Sequence, residues 1–157
     1  MLSAAALALR PARPEDADLL TDLAHRAKAH WGYPPRWMRN WDAQLTITPG
    51  YLEAHDVWVA ERDGRIVGMC ALEDRGDRWG LEHVWVDPPA HRTGVGTALV
   101  RHALAKAQLR KRAVVELISD SFAVGFYERL GARYAGDVPA PMPGAPRRML
   151  PRYEFQP

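Results

Sequence analysis

The sequence lacks several features that would assign it to a specialised class of protein. Only one of its 157 residues, Cys70, is a cysteine, so no internal disulfide can form and a zinc site built from several cysteines is excluded. No segment approaches the ~18 consecutive apolar residues of a membrane-spanning helix. The alanine-rich start has neither a basic segment nor a cleavage site, so we expect no signal peptide. These absences favour a cytoplasmic protein in a reducing compartment.

A strong charge of either sign is also missing. The formal net charge is +2, which is too weak to indicate a nucleic-acid partner. The charges are nevertheless unevenly distributed, because residues 88–157 hold 11 Lys or Arg and only 5 Asp or Glu. That half is the better place for a ligand with several phosphates.

The overall composition is that of an ordinary globular protein, with 47% hydrophobic and 25% charged residues. The length favours a single domain spanning residues 1–157. Apolar periodicity predicts a mixed α/β fold with a central sheet, in the order β-α-α-β-β-β-α-β-α-β-β. The predicted strands cover 7–10, 56–62, 65–72, 79–86, 113–118, 133–135 and 149–155. The predicted helices start near 14, 36, 95 and 121, with a turn at 48–50 and a proline-rich loop at 138–146.

The most informative segment joins the 79–86 strand to the helix that starts at Val95. Gly94 and Gly96 lie where the chain enters the helix, so the backbone N–H groups of the first turn can approach a phosphate closely. A Walker-type loop would need Lys and Ser or Thr after the last glycine, but Thr97 and Ala98 follow here. A dinucleotide fingerprint would need a third glycine where Leu99 stands.

The stretch His91-Arg92-Thr93-Gly94-Val95-Gly96 resembles the acyl-coenzyme A loop of the GNAT superfamily of N-acetyltransferases, written Arg/Gln-x-x-Gly-x-Gly/Ala. Residues 9–16 resemble that family's first strand and turn, and residues 123–132 resemble its penultimate helix. The likeness covers nearly the whole chain, and Lys28–Tyr33 is similar to a segment of a bacterial subgroup of undefined substrate. It implies a sheet that splays between its fourth and fifth strands.

The resemblance also implies a reaction and a cofactor site. The expected activity transfers an acetyl group from acetyl-CoA to a primary amine by direct attack in a ternary complex, without a metal ion. The cofactor would be bound by the main chain of β-strand residues and of the glycine loop. These residues are Val84, Trp85, Val86, His91, Arg92, Thr93, Gly94, Val95, Gly96 and Thr97. The chain departs from the family at His91 and at Phe122, where many members have an asparagine.

Two catalytic residues are implied by the same resemblance. Tyr127 matches the tyrosine that donates a proton to the coenzyme sulfur, and a phenol is protonated at neutral pH. Glu82 is the favoured base, while His83 and a water chain remain alternatives. Strand alternation places Glu82 on the face of Val84, and His83 on the opposite face together with Leu81.

The acceptor and the partners are less constrained by the sequence. Trp31, Tyr33, Trp37 and Trp41 lie in the segment that covers the acceptor site in relatives, where they could bind an apolar or cationic acceptor or simply pack under a loop. A non-catalytic acyl-CoA-binding or sensing domain on the same fold is the alternative function. We expect no nucleic-acid or membrane partner, and a homodimer is a further expectation.

Overall fold

The computed structural model describes residues 6–110 and 114–157. In this part of the chain seven strands form one sheet in the order β1-β2-β3-β4-β5-β7-β6. The strands are β1 (Ala8–Pro11), β2 (Asp56–Arg62), β3 (Arg65–Asp74), β4 (Trp79–Val86), β5 (Val115–Ile118), β6 (Arg133–Pro139) and β7 (Met149–Phe155). Only the β4–β5 pair is parallel. The predicted mixed α/β class is confirmed; Ala113 of the predicted fifth strand lies outside the described residues.

Five α-helices accompany the sheet within the described residues. They are α1 (Ala17–Ala29), α2 (Pro35–Leu45), α3 (Pro49–Ala54), α4 (Val95–Leu109) and α5 (Val124–Arg129). The sequence predicted a turn at 48–50, but this segment begins α3, because the Thr48 side chain accepts a hydrogen bond from the Tyr51 N–H at 3.0 Å and caps the helix. No helix in the described ranges is long and apolar enough to cross a membrane.

Of the other predicted boundaries that differ from the structure, two lie in elements near the cleft. Residues 121–123 form a turn rather than the first turn of α5, since Asp120 accepts a hydrogen bond from the Phe122 N–H at 3.2 Å. The sixth strand, predicted to end at 135, continues to Pro139 by pairing with β7, so it includes the start of the predicted proline-rich loop. Backbone pairing across the sheet outweighs the local preference of proline for a loop.

The sheet is covered on both faces. Helix α4 packs on one face through buried residues such as Leu99 and Ala103, and α1 packs on the other through Leu20 and Leu23. Gly68 in β3 allows α4 to approach closely, because a Cβ atom built there would lie 2.7 Å from the Val95 Cγ1 atom. The start of α4 is thereby held against the sheet, next to the end of β4.

The sheet opens between β4 and β5, as predicted. Their register covers only Trp79 with Val115 and Gly80 with Glu116, and beyond Gly80 the strands have no registered pairs. The rest of β4 therefore has an edge that β5 does not cover. This opening is the structural feature that positions the site described below.

A β-bulge at Glu82 changes which side chains of β4 share a face. Ala71 of β3 pairs with His83, whereas the next residue, Leu72, pairs with Leu81, so Glu82 is the extra residue. The expected alternation put Leu81 on the face of His83, and this was wrong. Leu81 packs in the α4-side core with Val84, because the extra residue shifts the side-chain alternation by one position.

Candidate active site

A cleft of about 1150 Å³ occupies the opening between β4 and β5. It runs from the start of α4 to α2 and the loop between β6 and β7. Nearly all of the predicted cofactor and catalytic positions line it: Glu82, Val84, Trp85, Val86, His91, Arg92, Gly94, Val95, Gly96, Thr97 and Tyr127. Thr93 lies in the same loop without lining the cleft. The fold thus brings positions that are up to 45 residues apart to one surface.

The loop before α4 presents a row of unpaired backbone donors. No described residue accepts a well-formed hydrogen bond from the N–H groups of residues 92–97. Arg92 and Gly94 have positive φ angles of 63° and 87°, which turn the loop backbone and bring its N–H groups together at the start of the helix. Adjacent N–H groups at the positive end of a helix dipole form a site for an anion such as a phosphate.

Side chains hold this loop in place. The Thr93 hydroxyl donates a hydrogen bond to the Ala90 carbonyl at 2.6 Å and accepts one from the Arg62 Nη1 atom at 2.9 Å. Gly96 faces the ring of Phe126, and a Cβ atom at this position would lie 3.2 Å from the ring's Cζ atom. Position 96 therefore has no room for a side chain unless the ring or the helix start moves.

His91 differs from the Arg or Gln of the family motif and has a contact of its own. Its Nε2 atom lies 3.1 Å from the Val86 carbonyl oxygen, which can only accept, so this nitrogen donates. The His91 ring also stacks on Trp31, with 5.9 Å between centroids, and Trp31 stacks on Phe122 at 4.9 Å. The stack joins three loops around the cleft.

Tyr127 is buried in the wall of the cleft, and only 8% of the residue is exposed. None of the described residues accepts a hydrogen bond from its hydroxyl, and its ring packs edge-on against Phe126 with 5.0 Å between centroids. Burial raises the pKa of the phenol well above its ordinary value. The hydroxyl is therefore a protonated donor that no described residue pairs with.

Glu82 lies at the bulge of β4 and lines the same cleft. Its carboxylate is 2.8 Å from the Arg75 Nη2 atom, and this arginine also contacts Glu73 and Glu116. Burial, followed by repulsion from Glu73, raises the pKa of Glu82, although the Arg75 cation opposes the shift. With 46% of its side chain exposed, the carboxylate can exchange protons with water.

His83 does not offer a basic nitrogen to the cleft. Its Nδ1 atom lies 2.9 Å from the Trp85 Nε1 atom, and because an indole N–H can only donate, Nδ1 accepts. The other ring nitrogen then carries the proton of the neutral ring. Burial lowers the pKa of His83 to about 4, so the ring is neutral at pH 7. The geometry therefore favours Glu82 over His83 as a base.

A polar cluster was missed by the sequence reasoning; it lies at the end of the cleft next to α2, where the family resemblance implies the acceptor and which we call the acceptor end. Asp120, which follows β5, accepts hydrogen bonds from the Lys28 Nζ atom at 2.8 Å and the Tyr33 hydroxyl at 2.6 Å. Burial opposes ionisation of Asp120, but these bonds hold its pKa below the ordinary value. Lys28 and Asp120 are 92 residues apart, and the only local signal was an acidic residue at the end of a buried strand.

The aromatic residues between Trp31 and Trp41 differ in burial and in contacts. Trp41 is buried with Leu45 and Met142, which matches the packing interpretation. Trp37 donates from Nε1 to the Pro143 carbonyl at 2.8 Å and so ties α2 to the β6–β7 loop. Only Trp31 is well exposed, at 39%.

Comparisons with known proteins agree with this geometry. The family model described as "Acetyltransferase (GNAT) domain" matches residues 53–131, half of the chain. A blasticidin-S acetyltransferase of Streptomyces morookaense is 33% identical over 63% of this chain and 74% of its own length. An uncharacterized N-acetyltransferase of Methanocaldococcus jannaschii is 32% identical over 47% of this chain, which spans only 37% of that relative.

Solved structures show the same fold. The PaiA N-acetyltransferase of Thermoplasma acidophilum, in complex with coenzyme A, has a TM-score of 0.77 and 14% identity, covering 96% of this chain and 99% of its own. At this identity the likeness speaks for the fold alone. The family match and the relative from Streptomyces morookaense confirm the enzyme class that the sequence predicted, an acetyl-CoA-dependent N-acetyltransferase. The chain belongs to the GNAT family of acetyltransferases.

Proposed function

We propose that this protein transfers the acetyl group of acetyl-CoA to a primary amine by direct attack in a ternary complex. The observation that carries the proposal is the row of unpaired N–H groups at residues 92–97, which opens onto the cleft that Tyr127 and Glu82 line. One end of the cleft suits a phosphate group, and the other end holds groups that can donate and accept protons.

The cofactor site is the start of α4 together with the uncovered edge of β4. Residues Arg92–Thr97 would bind the pyrophosphate through their backbone N–H groups, and the Arg92 side chain adds a positive charge. Val84, Trp85 and Val86 would pair with the pantetheine arm along the edge that β5 leaves open. The side chains of Val84 and Val86 pack in the core at the same time. The Val86 carbonyl has a second lone pair beside its bond to His91.

Acetyl-CoA supplies an activated thioester, so the protein has to place an amine beside it and manage two protons. The carboxylate of Glu82 would remove a proton from the ammonium form of the acceptor, directly or through water. The neutral amine nitrogen then forms the new C–N bond as the C–S bond breaks. The Tyr127 hydroxyl, protonated and without a partner among the described residues, would donate its proton to the departing sulfur, and the proton that the acylated nitrogen then loses would return through water to the Tyr127 phenolate.

No covalent acetyl-enzyme is needed in this scheme. The only cysteine, Cys70, is buried, its Sγ atom lies 3.5 Å from the Leu99 carbonyl, and burial raises the pKa of its thiol to about 12. A thiol with so high a pKa is a poor nucleophile at neutral pH.

The experiment that tests the proposal is a panel of primary amines incubated with acetyl-CoA and the protein. Thiol release reports turnover, and mass spectrometry reports an added acetyl group on the amine. We expect both signals in equal amounts with at least one class of amine. Tight acetyl-CoA binding without transfer to any amine would instead support the sensing domain.

A further inference from the structure

Arg148 occupies a distinctive place in the wall of the acceptor end. It directly precedes β7, and its backbone carbonyl accepts a hydrogen bond from the Ala140 N–H at 2.9 Å, which closes the β6–β7 loop. Its Nη1 atom donates to the Ala140 carbonyl at 3.2 Å. The guanidinium carbon lies 5.2 Å from the ring centre of Trp37 and 5.6 Å from that of Trp41. The side chain is thus held over the aromatic residues of α2.

The other half of this guanidinium has no hydrogen-bond partner among residues 6–110 and 114–157. The Nη2 atom of Arg148 is buried, and no described residue accepts a hydrogen bond from it. Arg148 also makes no ion pair with any described carboxylate, whereas Asp120, an acid that lines the same cleft, is already paired with Lys28. A buried charged donor without a counter-ion is costly, so a ligand that supplies one would bind favourably here.

The aromatic rings around this point already face cations of the protein itself. The Lys28 Nζ atom lies 4.1 Å from the ring centre of Trp41 and 5.0 Å from that of Tyr33, and Arg148 lies over Trp37. The two cations beside these rings disfavour a further cationic group of an acceptor at the same place. With Lys28, Arg148 and Asp120 as its charged groups, this part of the wall has a net positive charge, which disfavours a polycationic amine.

We infer that the acceptor is a primary amine that carries a carboxylate, and that the guanidinium group of Arg148 binds this carboxylate. This inference rests on the proposed function and names its substrate class. Arg148 lines the same cleft as Tyr127 and Glu82, so one acceptor can contact the arginine with its carboxylate while its amine faces the catalytic groups. A carboxylate paired with a guanidinium forms charge-assisted hydrogen bonds, which are stronger than neutral ones.

The test compares matched acceptors on matched variants. Each amine of the panel is offered as its carboxylate, as its carboxamide and in decarboxylated form, and kcat/KM is measured for the wild type, Arg148→Gln and Arg148→Lys. Arg147→Gln is the control, because Arg147 is the neighbouring residue, has the same charge and is exposed outside the cleft. Melting curves establish that every variant is folded.

We expect the wild type to prefer the carboxylate form. Arg148→Gln should lower kcat/KM for the carboxylate form by roughly 10- to 100-fold, in line with the loss of a hydrogen bond between charged groups. It should leave the carboxamide form within about 3-fold, and Arg148→Lys should fall between the two. Arg147→Gln should match the wild type on all forms. Because each variant is compared on the same amine, differences in amine pKa between the forms cancel.

A second measurement covers the case in which the panel lacks a good acceptor. With coenzyme A present, titration with N-acetylated amino acids should change the tryptophan fluorescence, since Trp37 and Trp41 lie beside Arg148, and the corresponding amides should not. If the protein acetylates amines and Arg148→Gln does not change its preference for the carboxylate form, this inference is overturned and the proposed function stands. If there is neither turnover nor carboxylate-dependent binding of the N-acetylated amino acids, the inference is overturned. If the protein binds acetyl-CoA but transfers no acetyl group to any amine, the proposed function itself is overturned.

Discussion

Replacing Tyr127 by phenylalanine removes one hydroxyl and keeps the ring that packs against Phe126. Because no described residue accepts a hydrogen bond from this hydroxyl, the substitution breaks no bond within that part of the protein. The free energy of unfolding should therefore stay the same or increase by up to ~1 kcal/mol, since an unpaired buried hydroxyl is itself unfavourable. A structural role for the hydroxyl predicts a loss of stability instead.

The effect on catalysis should be large and confined to the chemical step. If the hydroxyl protonates the departing sulfur, Tyr127→Phe should lower kcat by about 10- to 1000-fold. The KM for acetyl-CoA should change little, because the shape of the cleft is kept. The assay is steady-state thiol release with a working acceptor, together with a urea denaturation curve.

Tyr134→Phe is the matched control for this experiment. Tyr134 is a tyrosine on β6 that is 57% exposed and does not line the cleft, so its substitution should change neither kcat nor KM. A Tyr127→Phe variant with the full kcat of the wild type would refute the proton-donor role. A large loss of stability in that variant would show that the hydroxyl has a structural partner.

Three further outcomes are expected. Gly96→Glu should abolish acetyl-CoA binding in calorimetry, because the side chain would press on Phe126 and bring a negative charge to the phosphate site. Gly50→Glu should bind normally, because Gly50 is exposed and a Cβ atom there would meet only the Thr48 Oγ1 atom, at 3.9 Å; tight binding by the first variant would contradict the site. Glu82→Gln should lower kcat by about 100-fold or more. The variant should also lose the rise of kcat/KM with increasing pH, because in the wild type this rise follows ionisation of the Glu82 carboxyl, whose pKa is raised; an unchanged pH profile would exclude Glu82 as the base. The pKa of His83 is about 4 in the folded state and 6.5 ordinarily, so as the pH drops the unfolded state binds the proton first. The free energy of unfolding should therefore fall by up to ~3 kcal/mol between pH 6.5 and pH 4, and denaturation curves of His83→Gln should lack this part of the pH dependence.

Strands and helices with strong local patterns could be predicted closely from the sequence. The bounds of β2, β4, α4 and β7 match the prediction, because hairpin signals, runs of β-branched residues and a long apolar stripe all act within a few residues. The extension of β6 to Pro139 could not be predicted in this way, because it depends on pairing with β7. The bulge at Glu82 likewise depends on the register with β3.

The candidate site shows the same division between local and long-range information. The loop at residues 92–97 could be recognised because its glycines and the helix that follows are contiguous in the chain. The Lys28–Asp120 pair and the position of Arg148 over Trp37 join segments that are 92 and 111 residues apart. No periodicity or spacing reports such contacts, and the inferred carboxylate-bearing acceptor rests on them.

The central claim is that the acetyl group passes directly from acetyl-CoA to an amine while both are bound. Initial velocities measure most directly whether both substrates must bind before the acetyl group is transferred. Rates of thiol release are recorded over a matrix of acetyl-CoA and acceptor concentrations, and the protein is examined by mass spectrometry after incubation with acetyl-CoA alone. A ternary complex predicts intersecting double-reciprocal lines and a protein without an added acetyl group. Parallel lines together with a stoichiometric acetyl group on the protein would contradict direct attack in the cleft between β4 and β5.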